Sequence, residues 1–291
     1  MKKIISVVIG VFLTHTSVLA QDFDRVQITT KPVTDNIFML QGSGGNIGVS
    51  IGDDGTFIVD DQFAPLTDKI VSAIAELTNK PVDFVVNSHW HYDHSDGNEN
   101  FGKAGAYIVA QDNSRHRMES EQVVSLNGRV QAPYNADGLP KITFMDAMNF
   151  YFNNNTINIV YTGPGHTDGD AQVFFKESNV IHTGDMFVRY GLPFIDQPNG
   201  GSTDGMIDAT WKIAGMIDDD TIIIPGHGEL ANRNDLLEYR TMLVTIRDRL
   251  KSAISRGLSD DQIVASNPAE GYAQPGIGTE RWLRAAITEY R

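Results

Sequence analysis

The sequence predicts a layered α/β chain with a helical C-terminal third. Two observations carry the first part of that expectation. Short apolar runs separated by Gly- and Asp-rich turns recur between residues 26 and 224, as strands do. One amphipathic helical pattern lies between two of these runs, in the strand–helix–strand order of layered α/β architecture. A third observation concerns the end of the chain, where apolar residues after position 235 recur at helical spacing.

Taken in order, residues 26–28, 37–40, 47–51 and 56–60 read as a meander, with Gly52-Asp53-Asp54-Gly55 as a hairpin turn. Thr67 offers an N-cap to a helix carrying Ile70, Val71, Ile74 and Leu77 on one face, stopped before Pro81. The apolar run 82–86 is the next strand. Residues 112–140 are polar and turn-rich, and a connection of that length reads as a functional loop or flap. Strands resume at 142–144, 150–152, 157–161, 171–175, 180–181 and 221–224. Leu236, Tyr239, Met242, Leu243, Ile246, Leu250 and Ile254 then mark a long helix, which Gly257 can end. Ser259 starts a shorter helix, and Thr279 can cap a last one carrying Trp282, Leu283, Ala286, Ile287 and Tyr290. No linker divides residues 21–291, so one domain is expected.

Lys2 and Lys3, the apolar run from Ile4 to Leu13, and Val18-Leu19-Ala20 before Gln21 read as a secretory signal peptide. Its apolar core is too short for a membrane span. The expected mature protein begins at Gln21, is periplasmic or secreted, and has no membrane partner. Removing residues 1–20 takes two lysines and no acids, leaving 21 basic against 37 acidic side chains and a formal charge of −16, against −14 before. Such a surface repels phosphate backbones, so a small-molecule substrate is expected rather than nucleic acid. With 0 cysteines, thiolate ligands, cysteine nucleophiles and disulfides are excluded.

The chemistry is concentrated in Asn87-Ser88-His89-Trp90-His91-Tyr92-Asp93-His94, directly after the run 82–86. Four polar, metal-type ligands at a strand end are hard to explain as packing, because each needs a partner if buried. His89 and His91 share a side in extended chain, whereas Asp93 and His94 diverge and can serve a second metal. His166 in Thr162-Gly163-Pro164-Gly165-His166, Asp185 in His182-Thr183-Gly184-Asp185 and His227 in Pro225-Gly226-His227-Gly228 each follow a predicted strand. The expected arrangement is one cluster at the strand ends. His116 and His182 fall outside it, as a surface group and a structural group.

This ordered set of motifs, from residue 25 to about 230, resembles the metallo-β-lactamase-fold metallohydrolases. The resemblance implies an αββα four-layer sandwich with a helical C-terminal extension from about residue 232. It implies His89, His91 and His166 on a first metal, Asp93, His94 and His227 on a second, and Asp185 bridging both. It also implies that Asp60 orients the histidine loop. The nitrogen and oxygen ligands suit two Zn²⁺ per chain, and iron or manganese share those ligand types. Two adjacent cations lower the pKa of a shared water, so no serine or lysine nucleophile is needed, and Asp93 and Asp185 are the catalytic carboxylates of this reading.

Many zinc β-lactamases carry Cys where this chain has Asp185, and an Asp bridge is the pattern of thioesterases, lactonases and phosphodiesterases of the fold. Arg189 is the first cation after that ligand, and it is expected to bind a substrate carboxylate. The sequence therefore predicts a periplasmic dinuclear zinc hydrolase of small esters or amides, such as lactones or β-lactams. Its alternatives are a mono-iron redox enzyme like the persulfide dioxygenases, a thioesterase or phosphodiesterase of the same fold, and a non-catalytic metal-binding protein.

Overall fold

Several strands of this chain carry apolar side chains on both faces, so their sheets need a cover on either side. The structure, a computed structural model, describes residues 22–291. The expected signal segment and its junction at Gln21 lie outside the described residues.

The first sheet takes β1 (Thr29–Pro32), β2 (Ile37–Gln41), β3 (Ile47–Ile51), β4 (Thr56–Val59), β5 (Val82–Val86) and β6 (Tyr107–Gln111). A separate hairpin, β7 (Gln122–Val124) and β8 (Arg129–Gln131), precedes β9 (Ile142–Phe144), which closes the first sheet beside β6. Pairing is antiparallel from β1 to β4 and parallel from β4 through β5 and β6 to β9. The second sheet runs β10 (Ala147–Phe152), β11 (Asn155–Tyr161), β12 (Ala171–Phe175), β13 (Val180–His182) and β14 (Ile222–Ile224), with only the last pair parallel.

Alternation along the strands sorts side chains into three apolar layers. Ile37, Met39, Phe57, Val59, Val86 and Val109 of the first sheet meet Ile157, Ile159, Val173, Phe175 and Ile224 of the second. Their sequence neighbours Ile58, Val85 and Ile108 turn to the opposite face of the first sheet. There they meet Ile70 and Ile74 of α1 (Thr67–Ala75). On the outer face of the second sheet, Ile181 and Ile223 are covered by α5 (Thr203–Met216) and α6 (Arg233–Ser255). The order helix, sheet, sheet, helix is the αββα sandwich expected. Short helices α2 (Tyr92–Ser95), α3 (Asn98–Lys103) and α4 (Asp112–Met118) follow β5 and β6. The tail adds α7 (Asp260–Ala265) and α8 (Ile277–Tyr290), whose Leu283, Ala286 and Ile287 join the outer core.

Five sequence expectations change, the smallest at Thr67, which is the first residue of α1 and donates its Oγ1 to Ala64 O at 3.0 Å rather than capping the helix. Residues 26–28 are not a strand: Val26 and Ile28 pack under the first sheet, and pairing starts at Thr29 opposite Gln41. The segment 112–140 is not a structureless flap, because α4 and the β7–β8 hairpin occupy most of it. Helix α5 was not expected at all. Ser202 caps it by accepting from Gly205 N–H, and it buries Met206, Ile207, Ala209, Thr210 and Ile213. Thr279 lies inside α8 rather than at its start.

Candidate metal centre

Four strands end at the same edge of the sandwich, and each delivers a ligand there. The parallel register of β13 with β14 brings Asp185 and His227 side by side, where Gly226 N–H donates to Gly184 O at 2.9 Å. The loop after β5 supplies His89 and His91, α2 supplies Asp93 and His94, and the loop after β11 supplies His166. Two glycines are required by close approach. A Cβ at Gly226 would stand 2.0 Å from Asp185 Oδ1, and one at Gly45 would stand 2.1 Å from His94 Cε1.

All seven predicted ligands converge in two groups. His91 Nδ1 lies 3.2 Å from His89 Nε2 and 2.8 Å from His166 Nε2, and His89 Nε2 is 3.2 Å from His166 Nε2. In the second group, His94 Nε2 is 3.2 Å from His227 Nε2, and Asp93 Oδ2 is 3.4 Å from His227 Nε2. Asp185 stands between the groups. Its Oδ1 is 3.2 Å from His94 Nε2, and its Oδ2 is 3.5 Å from His227 Nε2 and 3.7 Å from His166 Nε2.

The outward ring nitrogens decide what these contacts are. A neutral imidazole carries one proton, so a nitrogen facing an acceptor donates and leaves the other as a lone pair. His166 Nδ1 faces Phe194 O at 2.8 Å and therefore donates. His91 Nε2 faces Asp196 Oδ2 at 3.0 Å. Ser88 Oγ gives its proton to Asp60 Oδ2 at 2.7 Å, so it accepts from His89 Nδ1 at 3.1 Å. As neutral imidazoles the three would thus aim three lone pairs at one point. Such an arrangement repels itself without a cation. His94 Nδ1 is likewise committed to Asp60 Oδ2 at 2.7 Å, and the buried Asp185 Oδ1 receives no hydrogen bond.

The electrostatics agree with that fit. Burial and neighbouring imidazoles push His89 well below its ordinary value, and burial pulls His166 down to about 4. Burial also opposes charge on His94 and His227, but the carboxylates beside them prevail. Asp185, Asp93 and Asp60 hold His94 well above its ordinary range, and Asp185 and Asp93 hold His227 at about 9. Asp93, half-buried, stays down at about 2 against the desolvation it undergoes, because His94 and His227 face it. Protons and a divalent cation compete for the same lone pairs in this negative field. With nitrogen and oxygen donors only, the residues fit a divalent metal at both groups.

Asp60 is fully buried at the end of β4 and also accepts from Ser88 N–H at 2.6 Å, so it touches ligands of both groups through the histidine loop. Trp90 is buried beneath that loop with Met118 and Val124. Tyr92 accepts from Asn127 Nδ2 at 2.9 Å. His116 is exposed beside Glu119, and His182 is buried, with Nε2 2.9 Å from Asn46 O. Both stay outside the ligand groups.

Two residues at the site were missed by sequence reading. Asp196 receives Ser125 Oγ at 2.7 Å and Asn199 Nδ2 at 2.8 Å besides His91. Burial raises its carboxyl, but the hydrogen bonds from His91 and Ser125 hold it below the ordinary value. Phe194 stacks on His91 at 5.6 Å and meets His166 edge-on at 5.5 Å.

The structure places Arg189 apart from the ligand groups. Its Nη1 lies 2.7 Å from Asp235 Oδ2, in the capping box of α6, and its side chain lines a groove with Val188, Glu238 and Met242. No metal-ligand candidate lines that groove. The backbone turns the side chain away immediately after Arg189 N–H pairs with His227 O. We expect Arg189→Ala to change kcat/KM on anionic and neutral esters alike by less than about 3-fold, the scale of a partly exposed ion pair. A selective loss on the anionic ester would restore the guanidinium to the substrate.

A family model, the metallo-beta-lactamase superfamily, matches residues 40–227. The metallo-beta-lactamase type 2 of Pseudomonas aeruginosa is 24% identical over 145 residues, 49% of this chain and 52% of that protein. The chain therefore matches about half the length of that curated relative. Among solved structures, the DIM-1 metallo-beta-lactamase has 19% identity and a TM-score of 0.62, covering 76% of this chain and 99% of its own. The sec-alkylsulfatase Pisa1 from Pseudomonas sp. has 17% identity and a TM-score of 0.68, covering 91% of this chain and 50% of its own. At these identities the two structures establish the fold.

Proposed function

We propose a specific hydrolytic role from one premise: the chain belongs to the metallo-beta-lactamase superfamily, whose members are generally metal-dependent hydrolases. Within that class, our reading is a periplasmic dinuclear zinc hydrolase of small esters or amides, such as lactones or β-lactams. The observation that carries it is the pair of ligand groups with Asp185 between them. A mono-iron redox enzyme needs only the His89, His91 and His166 group, and gives no reason for Asp93, His94 and His227 to converge beside it.

His89, His91 and His166 would hold one metal, Asp93, His94 and His227 the other, and Asp185 would contact both. Bound there, the metals would supply Lewis acidity and bring the pKa of water down toward neutrality. The chain's own residues orient that chemistry. Asp60, Asp196 and Phe194 O fix the histidine tautomers. Asp93 is 25% exposed against 7% for Asp185, so the solvent-facing carboxylate is the one placed to hold an incoming water.

Metal analysis of purified protein is expected to give two zinc per chain. Hydrolysis of at least one of a lactone, a β-lactam and an aryl ester should disappear after chelation and return on adding zinc. One iron per chain with oxygen consumption on a persulfide would overturn the reading. Localisation has its own test. No described helix is long and apolar enough to cross a membrane. Periplasmic protein should have a mass starting at Gln21, and retention of residues 1–20 in cytosolic protein would oppose export.

A further inference from the structure

A cavity of about 800 Å³ is not formed by the candidate metal ligands but stands against them. Helix α8, the tip of the β7–β8 hairpin and residues 190–198 enclose it, with Leu126, Leu192, Phe194, Trp282 and Ala285 among its walls. Its size lies within the about 300–1,000 Å³ of small-molecule sites. Although the chain is strongly acidic, among the described residues no carboxylate lines this space and the one charged side chain on it is Arg281.

Three residues belong to the cavity and the metal centre at once. Phe194 lines the cavity and stacks on His91, while its carbonyl accepts from His166. Tyr190 lines it and stands 5.7 Å from the His227 ring. Ser125 lines it and bonds Asp196, the partner of His91. The far wall is pinned in place. Trp282 Nε1 donates to Pro193 O at 2.7 Å, and Glu289 accepts from Gln197 and from the N-terminus of α5. Such fixed apolar walls beside a hydrolytic centre favour a ligand that is polar at one end and apolar at the other.

We propose that this cavity binds the apolar acyl chain or ring of the substrate, so the enzyme selects esters or amides of medium-length hydrophobic acids. The inference rests on the hydrolase reading above and narrows it. The scissile carbonyl would face the two ligand groups, with the apolar chain passing Phe194 and Tyr190 toward α8. Arg281 stays at the wall, with Nη1 donating to Leu126 O.

The test uses the zinc-loaded full chain and p-nitrophenyl esters from acetate to decanoate. In the wild type, kcat/KM should rise with length by about 2- to 4-fold per added methylene until the cavity fills, as burial of each CH₂ dictates. Ala285 is exposed and lines the cavity, so Ala285→Trp fills it without crowding the core. Leu126→Asp places a charge in it from the exposed hairpin tip. Both should lower the decanoate-to-acetate ratio by about 10-fold or more. A flat chain-length profile, or a ratio that neither variant moves, would overturn the proposal.

Binding is read separately from chemistry. Decanoate should change tryptophan fluorescence saturably, and Trp282→Phe should remove that change. If neither these esters nor a lactone nor a β-lactam is hydrolysed, the hydrolase reading fails while the fluorescence titration still decides the cavity. Saturable decanoate binding weakened by Ala285→Trp supports it, and no binding sinks it.

Discussion

Asp185→Asn should lower hydrolysis by several orders of magnitude, beyond the about 10–100-fold typical of residues that only orient ligands. Asp185 presents one oxygen to His94 and the other to His227 and His166, so its charge serves both ligand groups. Asparagine keeps the shape but removes that charge. Its amide protons would also face imidazole lone pairs, forming hydrogen bonds that compete with metal. Zinc content should fall from two toward one per chain, with the far-UV spectrum unchanged because the side chain is not part of a core layer. Two bound zinc ions and wild-type turnover in Asp185→Asn would remove it from the set of ligands.

The convergence of the candidate ligands was legible in the sequence because each lies within a few residues of a strand end. A short link leaves little freedom in where the side chain goes, and Gly184 and Gly226 let the chain approach closely. Asp196 and Phe194 were not legible for the opposite reason. They sit in the irregular segment after Asp185, with no strand to set their direction, and only the folded chain brings them to His91 and His166. Arg189 shows the limit of adjacency. It is four residues from Asp185, yet the local bridge between Val188 and His227 sends its side chain to Asp235.

The fold shows the same division. Periodic segments such as α6 were readable, because seven buried apolar positions repeat over its length. Helix α5 was obscured by Gly205 and Gly215 near its ends and by exposed Trp211 among its buried residues. Strand β1 carries Thr29, Thr30, Lys31 and Pro32, none of them buried, so backbone pairing alone defines it. The β7 and β8 strands are three residues each, too short for any periodicity to register.

Asp60→Ala should weaken metal binding at both groups and destabilise the fold together. Asp60 is fully buried and accepts three hydrogen bonds, from Ser88 N–H at 2.6 Å, Ser88 Oγ at 2.7 Å and His94 Nδ1 at 2.7 Å. Through Ser88 Oγ it also fixes His89 Nδ1 at 3.1 Å. Removing the carboxylate frees both tautomers and leaves buried donors unpaired, at about 1–3 kcal/mol each. The backbone adds a smaller cost, since φ is 65° here, a region alanine enters less readily than aspartate. Zinc affinity measured against a competing chelator should fall about 10–100-fold at both sites. Asp196→Ala is the contrast: it releases only His91, so the weakening should be confined to the first site. Asp60→Asn tolerates the backbone angle but cannot accept all three bonds, so it should recover stability more fully than metal affinity. If Asp60→Ala instead bound both metals as tightly as the wild type, the tautomers would have to be set by the metals rather than by the buried carboxylate.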